Sequence, residues 1–169
     1  GDIADAHHVI EWPRTANTMS VLGFEDAWNA SCAVRIARSP DVVIRATTPA
    51  GLVVLKLISW HERYPDRDND AADVWFIIKH YVDCGHVDSL FDSNSDITEA
   101  AEFDYLSASA RLLGRHMRDI MSTQKRAAVE TILREENTGP ARGRLTAQMA
   151  TAFAGVDTVD VRARAVTML

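Results

Sequence analysis

One lysine and two aspartates are the residues whose types and spacing could do chemistry: Lys56, Asp70 and Asp73. Every residue of the segment 52–60 is apolar except Lys56 and Ser59. A helix that is apolar on all sides is buried in a protein core. A buried ammonium group without an anionic partner is strongly unfavourable, so Lys56 must either reach water or contact a carboxylate.

The next predicted helix supplies two candidate carboxylates. Asp70, Asp73, Ile77 and His80 are spaced i, i+3, i+7 and i+10, so they share one stripe of a helix. Two antiparallel helices joined by a short loop would bring Lys56 against Asp70 or Asp73. Two interpretations stay open at this stage. The pair is either a salt bridge that fixes the two helices, or a phosphate-binding lysine in a cleft, positioned by the aspartates.

A second set of candidates is a stripe of arginines. Arg111, Arg115 and Arg118 fall at i, i+4 and i+7 of a predicted amphipathic helix. The stripe is either a solvated helix face or a contact for phosphate or RNA, because the guanidinium group combines charge with a planar fork of donors.

A predicted β-hairpin precedes the helices that carry these residues. Residues 32–37 alternate apolar and polar side chains, residues 39–41 have turn chemistry, and residues 42–45 predict the returning strand. Arg35 and Arg45 would then lie on a polar face of the hairpin.

Helices dominate the rest of the chain. Thr48 followed by Pro49 predicts a helix start, because the hydroxyl caps a backbone N–H and proline is tolerated at the first helical position. The predicted helices cover residues 24–30, 48–61, 69–83, 98–121, 123–136 and 144–154, with a polar stretch over residues 88–96 and a strand or turn over residues 19–23. Since strands come early and helices late, the predicted fold class is α+β.

Composition limits the class of protein. A chain of 169 residues with 47% hydrophobic and 25% charged residues is typical of one soluble globular domain. It contains no apolar run long enough to cross a bilayer, and its first residues lack the features of a signal peptide, so we expect no membrane and a cytoplasmic location. The net charge of −6 argues against indiscriminate nucleic-acid binding.

Charge and special residues add three expectations. Residues 62–104 are mainly acidic and residues 111–144 mainly basic, which predicts either internal complementarity or a cleft with one wall of each sign. Cys32 and Cys84 are predicted to be buried free thiols. The four tryptophans are predicted to lie in the core or at its edge: Trp12, Trp28, Trp60 and Trp75.

Several stretches resemble one protein family. Residues 46–63 read ATTPAGLVVLKLISWHER and residues 67–73 read RDNDAAD. They are similar to the lysine-bearing helix and the following acidic helix of the predicted nucleotidyltransferases grouped with the AbiEii/AbiGii toxins. IEWP at residues 10–13, MSVLGFEDA at residues 19–27 and ARLLGR at residues 110–115 fit the same family in the same order.

This resemblance implies a polymerase-β-like fold that transfers a nucleotidyl group from a nucleoside triphosphate to an unknown acceptor, such as RNA or protein. Some such bacterial proteins are toxins with a cognate antitoxin. Residues 1–96 would be the C-terminal part of the α/β core, and residues 97–169 a helical extension packed on it. By motif, Lys56, Asp70 and Asp73 would be the catalytic residues, with Lys56, Arg111 and Arg115 binding substrate. The lysine that the family places before the first aspartate is Asn69 here.

The sequence also departs from the family at the metal site. The fold needs an Asp-x-Asp pair on a strand to bind Mg²⁺, and no such pair follows a Gly-Ser in this chain. We expect either a piece that lacks the N-terminal carboxylates, with Mg²⁺ bound only when they are present, or a diverged member without a metal site. Whether the chain is an enzyme therefore stays open. The alternative function is a non-catalytic module that binds a protein partner.

Overall fold

The predicted α+β class is confirmed by a computed structural model, which describes residues 9–12, 18–100, 103–140 and 142–152. The strands come first and form two separate antiparallel pairs within these ranges. Strand β1 (Val9–Glu11) pairs with β2 (Thr18–Ser20), and β3 (Cys32–Arg38) pairs with β4 (Asp41–Ala46).

The β3–β4 hairpin confirms the predicted strands. Val34 lies opposite Ile44, and Arg35 lies opposite Val43, before a bulge between Arg35 and Ala37 shifts the register. As predicted, Arg35 and Arg45 lie on one face, because side chains two residues apart in paired strands point the same way. Arg35 Nε contacts Asp41 Oδ1 at 2.8 Å across the turn.

Eight helices lie in the described ranges. They are α1 (Phe24–Asn29), α2 (Pro49–Arg63), α3 (Asn69–His80), α4 (Val87–Phe91), α5 (Ser95–Thr98), α6 (Tyr105–Ile120), α7 (Thr123–Thr138) and α8 (Arg144–Ala152). The predicted start of α2 is confirmed: Thr48 is its N-cap and accepts a hydrogen bond at 3.2 Å from the backbone N–H of Gly51.

One hydrophobic core holds the helices together. It contains apolar side chains of α2, α3, α6, α7 and α8, on both sides of the predicted boundary at residue 96. Helix α2 lies inside this core, as its apolar sequence predicts. Its buried residues include Val53, Val54, Leu57, Ile58 and Trp60. Trp60 also donates a hydrogen bond at 2.6 Å from Nε1 to Gln148, which joins α2 to α8.

Several predicted boundaries are wrong. The polar stretch 88–96 contains most of α4 and the start of α5, and Leu90 of α4 is buried in the core whereas Phe91 is 49% exposed. The helix predicted from residue 98 begins at Tyr105, since Asp104 caps it by accepting a hydrogen bond at 2.8 Å from the N–H of Ser107. Helix α3 ends at His80 instead of residue 83. The predicted end of α8 at residue 154 lies outside the described residues.

Two predictions about burial also need correction. Cys32 and Cys84 are both exposed, because Cys32 belongs to a hairpin with no covering layer in the described structure and Cys84 lies in the turn after α3. Trp60 and Trp75 are core residues, but Trp12 and Trp28 are 54% and 61% exposed. Trp28 lies instead beneath the guanidinium group of Arg45, at 5.1 Å from its ring centre.

None of the helices in the described part of the chain has the combined length and apolar character of a membrane-spanning segment.

Candidate functional site

The structure brings Lys56, Asp70 and Asp73 together. The Lys56 ammonium on α2 lies 2.8 Å from Asp70 Oδ1 and 2.7 Å from Asp73 Oδ2, both on α3. The two helices pack against each other after the turn that follows Arg63, so the spacing of the two aspartates on one stripe presents both to the same cation.

The two aspartates differ in their surroundings. The side chain of Asp70 is 6% exposed, whereas that of Asp73 is 52% exposed. Asp70 also accepts a second hydrogen bond at 2.8 Å, from Ser59 Oγ to its Oδ2. Asp70 is therefore the structural anchor of the group, and Asp73 is its solvent-facing member.

Electrostatics favours the charged form of both partners. Burial raises the pKa of Asp70, but hydrogen bonds from Lys56 and Ser59 and the positive charge of Lys56 outweigh it, so the net shift is downward. Burial lowers the pKa of Lys56, but its bonds to Asp70 and Asp73 outweigh this effect and the net shift is upward. Both shifts favour the ion pair, with Lys56 as an ammonium and Asp70 as a carboxylate.

A cleft adjoins this group. It has a volume of about 200 Å³ and lies between β2, the start of α1, and α2. Its lining residues are Met19, Ser20, Leu22, Phe24, Leu55, Lys56, Ile58, Ser59, Glu62, Arg63 and Asp70. Sites for whole small molecules usually measure about 300–1,000 Å³, so this cleft is large enough for a part of a ligand, such as a phosphate group, and too small for a complete nucleotide.

The charges around the cleft limit what it can bind. Lys56 and Arg63 balance Glu62 and Asp70 in the lining, and Asp73 adds one negative charge beside Lys56. An ammonium group has three N–H donors, and the two aspartates occupy two of them. An anion in the cleft can therefore accept the third, in competition with Asp73 for the charge of Lys56.

The residues described here do not fit a resident Mg²⁺ site. Among them, no three His, Cys, Asp or Glu side chains lie together in a way that could hold a metal ion. Asp70 and Asp73 each have an oxygen that is already bound to Lys56, and Mg²⁺ prefers several free oxygen ligands.

Arg111 and Arg115 lie at a different place from Lys56. Both line a cavity of about 360 Å³ between α5, α6 and α7, and this cavity shares no lining residue with the cleft at Lys56. Arg115 binds Asp96 through two hydrogen bonds of 2.9 and 2.6 Å and donates a third to Asn94. Asp96 belongs to the acidic segment 62–104 and Arg115 to the basic segment 111–144, so this ion pair is one place where the charges of the two segments are complementary.

Two functional candidates were missed by sequence reasoning. Ser59 is three residues after Lys56 and so lies on the same helix face, a spacing that could have identified it as the second donor to Asp70. Arg126 lines the larger cavity with Arg111. No sequence signal pairs these two arginines, because they are on different helices.

Neither a protein-family model, nor a curated protein, nor a solved structure matches the chain. Membership of the nucleotidyltransferase family therefore stays a prediction from resemblance.

Proposed function

We propose that this chain contributes a nucleotide-phosphate contact, through Lys56, to a nucleotidyltransferase-like protein. In that protein a nucleotidyl group passes from a nucleoside triphosphate to an acceptor such as RNA or a protein. Asp70 and Asp73 position the lysine. Arg111 and Arg115 lie on the other cavity and take no part in this contact.

The observation that carries the proposal is the place of the Lys56 ammonium. It is oriented by two carboxylates, and it lines a cleft next to Ser59 and Arg63. Asp70 fixes the position of the ammonium group, and the side of Lys56 that faces the cleft keeps a third N–H donor that neither aspartate uses. A positioned cation with a free donor beside a cleft can donate a hydrogen bond to a phosphate oxygen, and this supports the proposal.

The proposal is tested by the binding of inorganic triphosphate, which carries the phosphate chain of a nucleotide without its base. The informative variant is Lys56→Met combined with Asp70→Asn. Methionine keeps most of the length of the lysine side chain without its charge, and asparagine still accepts the hydrogen bond from Ser59. We expect this double variant to bind triphosphate about tenfold or more weakly than the wild type, since one charge-assisted hydrogen bond is lost. The measurement is isothermal titration calorimetry, with the fold checked by circular dichroism.

Asp73→Asn is the matched control. It removes the carboxylate that competes with phosphate for Lys56 but leaves the buried pair of Lys56 and Asp70 intact. The proposal predicts tighter triphosphate binding in this variant. Equal affinity in the wild type and the double variant, or no binding to the wild type at millimolar concentration, would reject the phosphate contact and leave a salt bridge.

A second candidate function is a protein-interaction module, and the β3–β4 hairpin favours it. Val34, Ile36, Val43 and Ile44 are between 38% and 60% exposed on this hairpin. The hairpin pairs with no third strand in the described part of the chain, so its outer edges offer backbone donors and acceptors. Exposed edges next to apolar side chains are the surfaces to which partner proteins add a strand.

A second copy of the chain is the partner that can be tested directly. If the hairpin docks on another hairpin, sedimentation velocity will show association that increases with concentration and is lost in the variant Ile36→Lys with Ile44→Lys. Triphosphate binding should be the same in this variant as in the wild type. A wild-type chain that stays monomeric at all concentrations would contradict pairing between copies.

A further inference from the structure

The larger cavity, between α5, α6 and α7, has the properties of a ligand site. Its volume of about 360 Å³ is within the range of about 300–1,000 Å³ that is usual for small-molecule sites. One part of its lining is apolar and consists of Ile97, Met117, Met121, Val129 and Leu133. This apolar part can hold the body of a ligand but gives it no polar partner.

Four arginines line the same cavity: Arg111, Arg115, Arg118 and Arg126. The lining contains only two acidic residues, Asp96 and Glu130, so its formal net charge is +2. A cavity that is apolar on one side and carries this charge on the other is complementary to an anion with an apolar body.

The arginines are not equally occupied. Arg115 is bound by Asp96 through both ends of its guanidinium fork, at 2.9 and 2.6 Å. Arg118 has only a contact of 3.7 Å with the neighbouring Asp119, and both side chains are more than half exposed. Arg111 is exposed and has no hydrogen bond or ion pair with any described residue. Among the described residues, Arg111 therefore has no competing partner and Arg118 has only a long contact, so both guanidinium groups can bind an anion.

Arg126 is the most informative of the four. One of its terminal nitrogens donates to the backbone carbonyl of Arg118 at 3.2 Å, which holds its guanidinium group against α6. Its Nε is buried and meets no acceptor among the residues that the structure describes. A buried charged donor without an acceptor is unfavourable, so an anion placed beside this guanidinium group would be stabilised by its unbalanced charge.

From these contacts we infer that the cavity between α5, α6 and α7 binds a phosphate monoester with a small apolar or aromatic body. Arg111, Arg118 and Arg126 contact the phosphate, and the apolar lining contacts the body. A phosphate monoester carries a charge of about −1.5 to −2 at neutral pH, which matches the net charge of the lining, whereas a carboxylate carries only one negative charge. Guanidinium groups also bind phosphate oxygens with two parallel hydrogen bonds.

Calorimetric titration of the chain with phenyl phosphate tests this inference, with Arg111→Gln and Arg126→Gln as the variants. Each variant should weaken binding about tenfold or more, because each removes a charge-assisted hydrogen bond. Arg111 is exposed, so its variant will fold even if the Arg126 variant does not. Arg134→Gln is the matched control, since Arg134 is an exposed arginine on α7 outside the cavity, and its affinity should equal that of the wild type.

Two further ligands separate the parts of the claim. Benzoate should bind much more weakly than phenyl phosphate, and equal affinity would overturn the requirement for a dianion. Inorganic phosphate should also bind more weakly, and equal affinity would overturn the role of the apolar lining. The absence of saturable phenyl phosphate binding, or unchanged affinity in both arginine variants, would overturn the site itself. Lys56→Met with Asp70→Asn should leave phenyl phosphate binding unchanged, which distinguishes this site from the cleft at Lys56.

Discussion

Breaking the ion pair between Lys56 and Asp70 should cost far more stability than breaking the one between Lys56 and Asp73. The two contacts have nearly equal lengths, 2.8 and 2.7 Å, but Asp70 is 6% exposed and Asp73 is 52% exposed. A buried charge that loses its partner stays desolvated, whereas an exposed one regains water. Burial, not distance, therefore decides the cost.

The expected magnitudes follow from this difference. Lys56→Met leaves the Asp70 carboxylate buried with Ser59 as its remaining donor. We therefore expect a loss of about 2–4 kcal/mol in the free energy of unfolding. This loss is smaller than is usual for fully buried pairs, because the Lys56 side chain is partly exposed to solvent. Asp73→Asn should cost about 0–1 kcal/mol. For a chain of this length, the loss in Lys56→Met corresponds to a fall of about 5–15 °C in the thermal midpoint.

A double-mutant cycle isolates the interaction. Lys56→Met combined with Asp70→Asn removes both charges together, so it should be less destabilised than the sum of the two single variants by about 1–3 kcal/mol. Urea unfolding at constant slope gives the four free energies that the cycle needs. The reasoning is refuted if the two single losses simply add, or if Asp73→Asn costs as much as Lys56→Met.

Three further predictions follow from other parts of the structure. Burial lowers the pKa values of His86 and His116 below 6.5, so at acidic pH the unfolded chain binds more protons than the folded chain. Their contribution to stability is complete above about pH 6.5 and is lost as the pH falls through the pKa values of the folded state. The urea midpoint should therefore decrease towards about pH 5.5. A decrease of the same size in a variant with both histidines replaced by asparagine would contradict this prediction. Gly51→Ala places a Cβ atom 2.6 Å from the hydroxyl of Thr47. This variant should be destabilised by about 1–3 kcal/mol, although alanine favours helices more than glycine does. A higher thermal midpoint in the variant would show that the Thr47 side chain moves aside. Cys32 and Cys84 are exposed and should both react with a small thiol reagent in the native protein at rates close to those in urea, whereas protection of either thiol would mean that it is covered.

The pairing at Lys56 could be predicted from the sequence because its cause is local. An ammonium group in an apolar helix needs a carboxylate, and the spacing of Asp70 and Asp73 on the next helix supplies two. Which of them is buried could not be predicted, because burial depends on how α2 and α3 pack in three dimensions. The second donor, Ser59, depends on the same packing.

Other features could not be predicted because they depend on contacts between distant segments. The cavity that contains Arg111 and Arg126 forms where α6 packs against α7. The arginine stripe on α6 could be recognised in the sequence, but it supplies only one side of the cavity lining. Trp28 and Cys32 are of residue types that are usually buried, but both lie where no other element of the described structure covers them. Residue type predicts a preference for the core but not whether another element covers the site.

The role of Lys56 can be measured most directly by NMR of the lysine side chains during titration with inorganic triphosphate. The chain contains only three lysines, Lys56, Lys79 and Lys125, so their Cε–Hε signals can be assigned by single substitutions to arginine. Lys125, which pairs with Glu25 at 2.9 Å, and the exposed Lys79 are internal controls. If Lys56 contacts phosphate, its signal will shift and saturate while the signals of the two controls stay in place. If its signal stays in place, or if all three lysines shift together without saturation, Lys56 is part of a salt bridge and not of a phosphate site.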